Sequence, residues 1–265
     1  MAAMIQDYSV VTEVPGLKVT DEAVRMLYTR YEFAARIARD KDVLEVACGT
    51  GQGLGMIARR ARRVVGGDYT ERMLHFARKL YQGRIDVIRL DAHQLPFADR
   101  TFDVILLYEA IYYLRDPHKF LEECRRVLRP GGCVVITTVN KDWSGFNPSP
   151  FSYCYFSVAE LRSVLENHGY DAELFGAFPV VDGGILYHGI SLLRRIAVRA
   201  KLVPKTMRGK ELLKRLFYGK LKELGTEVKD GMAELEPLVA IDASPNQPTF
   251  KIFYAIGRRG LAHRN

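Results

Sequence analysis

Between residues 43 and 139 the chain repeats one pattern. A short apolar run is followed by apolar residues at helical spacing, and then by another apolar run. The runs at 43–47, 64–67, 85–90, 102–107 and 133–139 read as strands. The one at 102–107 is unbroken, as expected of a strand buried on both faces. Between them the spacing predicts helices over 53–62, 70–81 and 117–128, with an earlier helix at 20–40. Thr20 or Asp21 can cap the first helix and Thr70 the third. Pro117 suits a first helical turn, and Arg129-Pro130-Gly131-Gly132 ends that helix sharply. Strand and helix alternating in this way predict a doubly wound, mostly parallel sheet.

Beyond residue 139 the pattern loosens. Residues 140–155 form a loop rich in Pro, Ser and aromatics. Ser157 followed by Glu160 predicts a capping box on a helix over 157–168. Strands six and seven are expected at 170–178 and 250–257. About seventy residues separate them, more than a hairpin needs. The reading is therefore an N-terminal helical segment (1–40), a core (41–180), a mainly helical basic insertion (181–248), and a final strand with a tail (249–265).

Charge sharpens that division. The net charge is +8, yet from Arg194 to Lys222 there are eleven Lys/Arg and one acid, Glu211. A local basic block says more about partners than a global excess does. The four cysteines, Cys48, Cys124, Cys133 and Cys154, are scattered with no CxxC pair. This argues for a reduced chain with neither a disulfide framework nor a cysteine metal site. The first residues carry no basic-then-apolar leader pattern, and no apolar run approaches the ~18 residues that span a bilayer. The expectation is a cytoplasmic protein.

The stretch Val43 to Gly55, VLEVACGTGQGLG, carries the chemistry. Its glycines recur at 49, 51 and 53 after a strand. A dinucleotide fingerprint would need glycine at 54 or 56, where Leu54 and Met56 stand, and no P-loop Gly-Lys-Ser/Thr follows. Asp68 ends strand two about twenty residues on, where a carboxylate accepts ribose hydroxyls. Asp91 follows strand three, placed for an adenine amino group. Glu45, within strand one, can face an ammonium group. Ammonium, ribose diol and adenine without pyrophosphate describe S-adenosylmethionine.

Four segments, VLEVACGTGQG, VVGGDYTERML, DAHQLPFADRTFDVILLYEAIYYLRDP and RRVLRPGGCVVITT, resemble in order the successive motifs of class I S-adenosylmethionine-dependent methyltransferases, in their small-molecule and lipid branch. The resemblance covers roughly residues 40–180. It implies a Rossmann-like seven-stranded sheet with an antiparallel last strand. It also implies cofactor contacts at Glu45, Ala47, Gly49, Gly51, Asp68, Tyr69, Asp91, Ala92 and Tyr108. Ala47 stands where the family usually carries glycine.

Methyl transfer from a sulfonium is an in-line displacement, so the protein mainly aligns the reactants and excludes water. A hydroxyl nucleophile also gains from a base. His75, His93, His118 and His168 are explained by the framework as surface or packing residues. His188, in VVDGGILYHGI of the insertion, is the candidate base. Tyr113 is a second catalytic candidate, although a phenol near pKa 10 is a poor base unaided. Tyr112, Trp143 and Tyr153 are candidates for the acceptor pocket. No H-x-x-x-H pair or carboxylate cluster suggests a metal. The resulting expectation is an O-methyltransferase acting on a small-molecule or saccharide-type acceptor, with the basic block meeting an anionic or sugar-linked group or a membrane surface. RNA or lipid methylation, and a non-catalytic module that keeps the fold, are the alternative readings.

Overall fold

The computed structural model describes residues 8, 11–143, 145–149, 151–180, 221–241 and 249–260. After a two-residue strand β1 (Lys18–Val19) comes helix α1 (Asp21–Ile37). Thr20 caps it as expected, its side chain accepting from the Ala23 N–H. The core then alternates β2 (Asp42–Val46), α2 (Leu54–Ala58), β3 (Arg63–Asp68), α3 (Glu71–Tyr81), β4 (Asp86–Arg89), β5 (Phe102–Tyr108), α4 (Pro117–Val127), β6 (Leu128–Val139), α5 (Val158–Asn167) and β7 (Tyr170–Pro179). Two short strands, β8 (Lys222–Glu223) and β9 (Val239–Ala240), precede the last, β10 (Phe250–Arg259).

The main sheet runs β4-β3-β2-β5-β6-β10-β7-β9. The first five strands are parallel, and β10 lies antiparallel between β6 and β7. This is the expected Rossmann-like architecture with one addition. The edge strand β9 makes eight strands where seven are expected, pairing with β7 through Phe175 and Gly176. Side chains alternate between two apolar layers. Ile105, Leu107, Val134 and Ile136 pack with α4 and α5. Val104, Leu106, Tyr108 and Val135 pack with α1, α2 and α3.

Four local expectations differ from the structure. Helix α2 stops at Ala58 instead of reaching residue 62, because the Arg62 N–H turns back to the Lys41 carbonyl and its guanidinium forks onto Asp42. Thr70 precedes α3, but its side chain makes no cap bond; Asp68 takes its N–H instead. The Arg-Pro-Gly-Gly run does end α4, yet it belongs to β6, which enters through a register shift opposite Phe102 and Val104. Residues 221–241 hold two short strands and no helix, against the expected helical insertion. The rest of that insertion, with His188 and most of the basic block, lies outside the described residues.

The 221–241 arm fastens to the N-terminal half of the fold. β8 pairs with β1. The Gly231 N–H reaches the Tyr28 hydroxyl, and Arg25 pairs with Glu236. The Val228 N–H donates to the Gln52 carbonyl, while Gln52 Nε2 donates to the Gly225 carbonyl at 2.7 Å.

Helices α1 and α2 meet at one tight point. A Cβ on Gly53 would lie 1.9 Å from the Tyr31 ring. Gly53→Ala must therefore expel Tyr31 or separate the helices. The expected loss is about 1–3 kcal/mol, read from chemical denaturation, with an unchanged m-value.

Candidate functional site

In the sheet order, β3 and β5 flank β2 on opposite sides. The crevice beyond the carboxyl ends of β2 and β5 is therefore the topological switch point, where open α/β sheets bind ligands. The sequence candidates converge there. Ala47, Gly49 and Gly51 adopt φ of 59°, 56° and 75°. This left-handed backbone at every second position rolls the chain into a tight turn that favours glycine. Ala47 holds the same conformation with a Cβ, at a strain of about 1–2 kcal/mol. Space restricts the two glycines further: a Cβ would meet Thr12 Cγ2 at 3.1 Å from Gly49 and Ala77 Cβ at 2.9 Å from Gly51. From the end of α3 the Tyr81 hydroxyl accepts from the Gly55 N–H and donates to the Gly51 carbonyl at 2.7 Å, bracing the turn. Nothing local in the sequence marks Tyr81 for this task.

Three acids line the crevice, each shifted towards its neutral form. Glu45 shares a sheet face with Val43, so it points at α1, where the Tyr31 hydroxyl donates to its Oε1 at 2.7 Å. Its Oε2 is buried without a partner among the described residues. Burial pushes Glu45 up to about 7, against the opposing pull of Tyr31 and Arg30. Asp68 spans the turn. Its Oδ2 accepts from the Gly49 N–H at 2.9 Å and its Oδ1 from the Thr70 N–H at 2.8 Å. Burial raises its pKa while those N–H groups hold it down. Each oxygen keeps a second lone pair for a ligand. Glu109, just past β5, has φ 50°. Its Oε2 accepts from the Tyr112 hydroxyl at 3.2 Å, and its Oε1 is buried without a partner. Burial raises its pKa as well.

Half-buried Arg30, beside Tyr31 on α1, faces these acids. Burial opposes its charge, but Glu109 and Glu13 outweigh it and hold the guanidinium above its usual value. Sequence reading passes over both Arg30 and Tyr31. Tyr31 reads there as part of an apolar helix face, and only the fold brings it against Glu45.

At the β4 end, Asp91 is half-exposed and engaged by His93. The His93 N–H and ring Nδ1 lie 2.9 and 2.7 Å from Asp91 Oδ1. His93 Nε2 accepts from the Asp116 N–H, which leaves the ring proton on Nδ1, facing Asp91. His93 thus orients a candidate ligand group instead of serving only as surface or packing. Ala92 is buried in the adjoining layer. Tyr69 lies under the Arg89 guanidinium and edge-on to Tyr8. Tyr108 is buried edge-on to Tyr31, at 5.7 Å between ring centres, and its hydroxyl has no partner among the described residues.

Beyond β5 the acceptor candidates form an aromatic wall. Tyr112 stacks on Tyr155 at 4.7 Å. Tyr113 packs against Tyr112 and Tyr8, and its hydroxyl bonds Ser149. Burial raises the Tyr113 phenol further, which keeps it protonated and so unavailable as a base. Tyr153 stands at the rim, its hydroxyl accepting from Arg115. Trp143 packs beneath the Lys251 ammonium, with its ring N–H buried and unpaired. His188 lies outside the described residues.

A methyltransferase-domain family matches residues 44–136. A Mycobacterium tuberculosis protein named "probable S-adenosylmethionine-dependent methyltransferase" is 31% identical over 71% of this chain and 70% of its own length. A Mycolicibacterium smegmatis protein described in the same words is 36% identical over 60% of the chain, which spans 63% of that relative. Shorter matches include a ubiquinone biosynthesis O-methyltransferase of Mesorhizobium japonicum, 34% identical over 44% of this chain and 52% of its own length. They also include a ubiquinone/menaquinone biosynthesis C-methyltransferase of Desulfotalea psychrophila, 40% identical over 36% of this chain and 41% of its own. Among solved structures, the YcgJ protein of Bacillus subtilis superposes with a TM-score of 0.56 over 87% of this chain and 98% of that one, at 15% identity, a likeness of fold. The chain belongs to the S-adenosylmethionine-dependent methyltransferases.

Tyr31→Phe removes the one donor that Glu45 has among the described residues. The donor favours the carboxylate, so its loss lifts Glu45 above about 7 and destabilises the fold by about 1–3 kcal/mol. The loss should be larger at pH 8, where the unpaired group has to ionise, than at pH 5. Denaturation of both proteins at the two pH values measures it.

Proposed function

We propose that the chain transfers the methyl group of S-adenosylmethionine to a hydroxyl of a small-molecule acceptor. The observation that carries this reading is the buried, unpartnered Oε2 of Glu45 beside the glycine turn. A buried acceptor lacking a donor is destabilising by about 1–3 kcal/mol, and the ammonium of the cofactor's methionine part supplies the missing donor. Gly49 and Gly51 hold the left-handed turn that brings main chain to the edge of the crevice. Asp68, already fixed by two N–H groups, accepts from the ribose hydroxyls, and Asp91, oriented by His93, accepts from the adenine amino group. When bound, the cofactor supplies an electrophilic methyl carbon on a good leaving group. The protein's task is then alignment and exclusion of water, and the aromatic wall beyond β5 is suited to both. The O-methyltransferase relative supports a hydroxyl acceptor, while the C-methyltransferase relative favours carbon as the second reading.

Asp68→Ala leaves the ribose donors unpaired. Charge-assisted hydrogen bonds contribute roughly 1.5–3 kcal/mol, so affinity for S-adenosylhomocysteine should fall about tenfold or more in calorimetry. Unchanged affinity refutes the assignment. The same titrations carry a pH signature. An ammonium favours ionised Glu45, which titrates at about 7 in the free protein. Affinity should therefore weaken below that pH, by at most about tenfold per unit, and Glu45→Gln should flatten the dependence.

The basic block between Arg194 and Lys222 supports a further part of the reading, recruitment of an anionic or sugar-linked acceptor. Attraction between exposed charges is screened beyond about 8 Å at physiological ionic strength. The acceptor KM should then rise with salt, and replacing Arg194, Arg195 and Arg199 with Gln should raise it without altering cofactor affinity.

A further inference from the structure

Glu109 is the acid in the crevice that the cofactor reading leaves unused. Four observations set it apart. It stands immediately past the carboxyl end of β5, next to the switch point. It holds a left-handed backbone at φ 50°, a strained conformation for glutamate. The Tyr112 hydroxyl fixes one carboxylate oxygen. The other oxygen, Oε1, is shut from solvent and has no hydrogen-bond partner within reach among the described residues, with the Arg30 and Thr137 side chains acting on the same carboxylate. Tyr112, Tyr113, Tyr8 and Phe151 follow one another at ring-centre distances of 4.6, 5.4 and 6.5 Å, so the wall beside this carboxylate is aromatic.

We propose that Glu109 is a catalytic residue, and that its Oε1 takes the proton of a phenolic hydroxyl held against the Tyr8–Tyr113 wall as that oxygen is methylated. This rests on the O-methyltransferase reading above and names the acceptor class at the same site. The step balances. The acceptor O–H bond breaks and its proton passes to Oε1. The freed oxygen pair forms the new O–CH3 bond, and the S–CH3 bond breaks with its electrons going to sulfur. S-adenosylhomocysteine and a neutral Glu109 result, and the carboxyl then returns its proton to solvent. A phenol suits this base better than a saccharide hydroxyl, whose far weaker acidity leaves a carboxylate too feeble an acceptor. A flat ring also matches a wall of rings, which attract other rings by edge and offset contacts. The groups facing Glu109 set its charge. Arg30 from α1 favours the carboxylate, Glu13 from the N-terminal segment opposes it, and the Tyr112 and Thr137 side chains both favour the charged form.

Two phenols separate this role from alignment: 4-methylphenol, which keeps its proton at pH 8, and 4-nitrophenol, which is largely ionised there. With the full chain and radiolabelled S-adenosylmethionine, the wild type should methylate both. Glu109→Gln should lower kcat on 4-methylphenol by about 10²–10⁴-fold, lose less than about tenfold on 4-nitrophenol, and bind S-adenosylhomocysteine as the wild type does. Glu109→Asp, which keeps a carboxylate, should recover part of the loss. The wild-type kcat/KM on 4-methylphenol should rise with pH through the Glu109 ionisation, a limb that Glu109→Gln lacks. Equal losses on both phenols overturn the proposal. So does the same selective loss in His188→Gln with none in Glu109→Gln. Failure of the wild type to methylate either phenol while still binding S-adenosylhomocysteine overturns the acceptor class alone. Failure to bind S-adenosylhomocysteine overturns the wider reading.

Discussion

A carboxylate taken out of water must be paired, hydrogen-bonded or neutral. Glu45, Asp68 and Glu109 impose that condition three times within one crevice, and the surrounding architecture answers it differently each time. Asp68 is met by main-chain N–H groups from the turn after β2 and from the start of α3, so its charge ties two crossovers together. Glu45 is met by a phenol from α1, a helix that would otherwise only cover the sheet. Glu109 is met by a phenol two residues beyond its neighbouring alanine and by the positive field of Arg30. In two of the three cases one oxygen remains unsatisfied. A scaffold selected for stability alone would fill such positions with apolar side chains, and the imbalance is the ground on which ligand roles are proposed for them.

How much of this is legible in the sequence depends on the range of the interaction. The seven long strands and the glycine turn follow from local periodicity, and the structure reproduces them. The Thr20 cap and the Ser157–Glu160 box involve atoms three residues apart, and both form. What escapes the sequence is what folding assembles from a distance. Tyr31 and Glu45 are fourteen residues apart, Tyr81 and Gly51 thirty. Two-residue strands such as β8 and β9 have too few residues to show any period. The inclusion of Arg129-Pro130-Gly131-Gly132 in β6 depends on a register shift against β5, which no propensity encodes.

Histidine 93 shows the same limit at the scale of one side chain. In sequence it is one polar residue in a loop. In the fold it receives an N–H from Asp116, at the cap of α4, and turns its own proton to Asp91. The cap of α4 thereby steadies a group at the end of β4.

The arm at residues 221–241 reaches the glycine turn through Gln52, and both bonds end on main-chain atoms: the arm's Gly225 carbonyl and its Val228 N–H. The two Gln52 bonds therefore read the arm's path and not its side chains. The main-chain part of such a junction is indifferent to residue identity between Gly225 and Val228, although the Val228 side chain is buried in the core and the Glu227 carboxylate lies against Gly55. It does not tolerate a change in their number, because one inserted or deleted residue moves a carbonyl or an N–H off Gln52, whatever the new residue is.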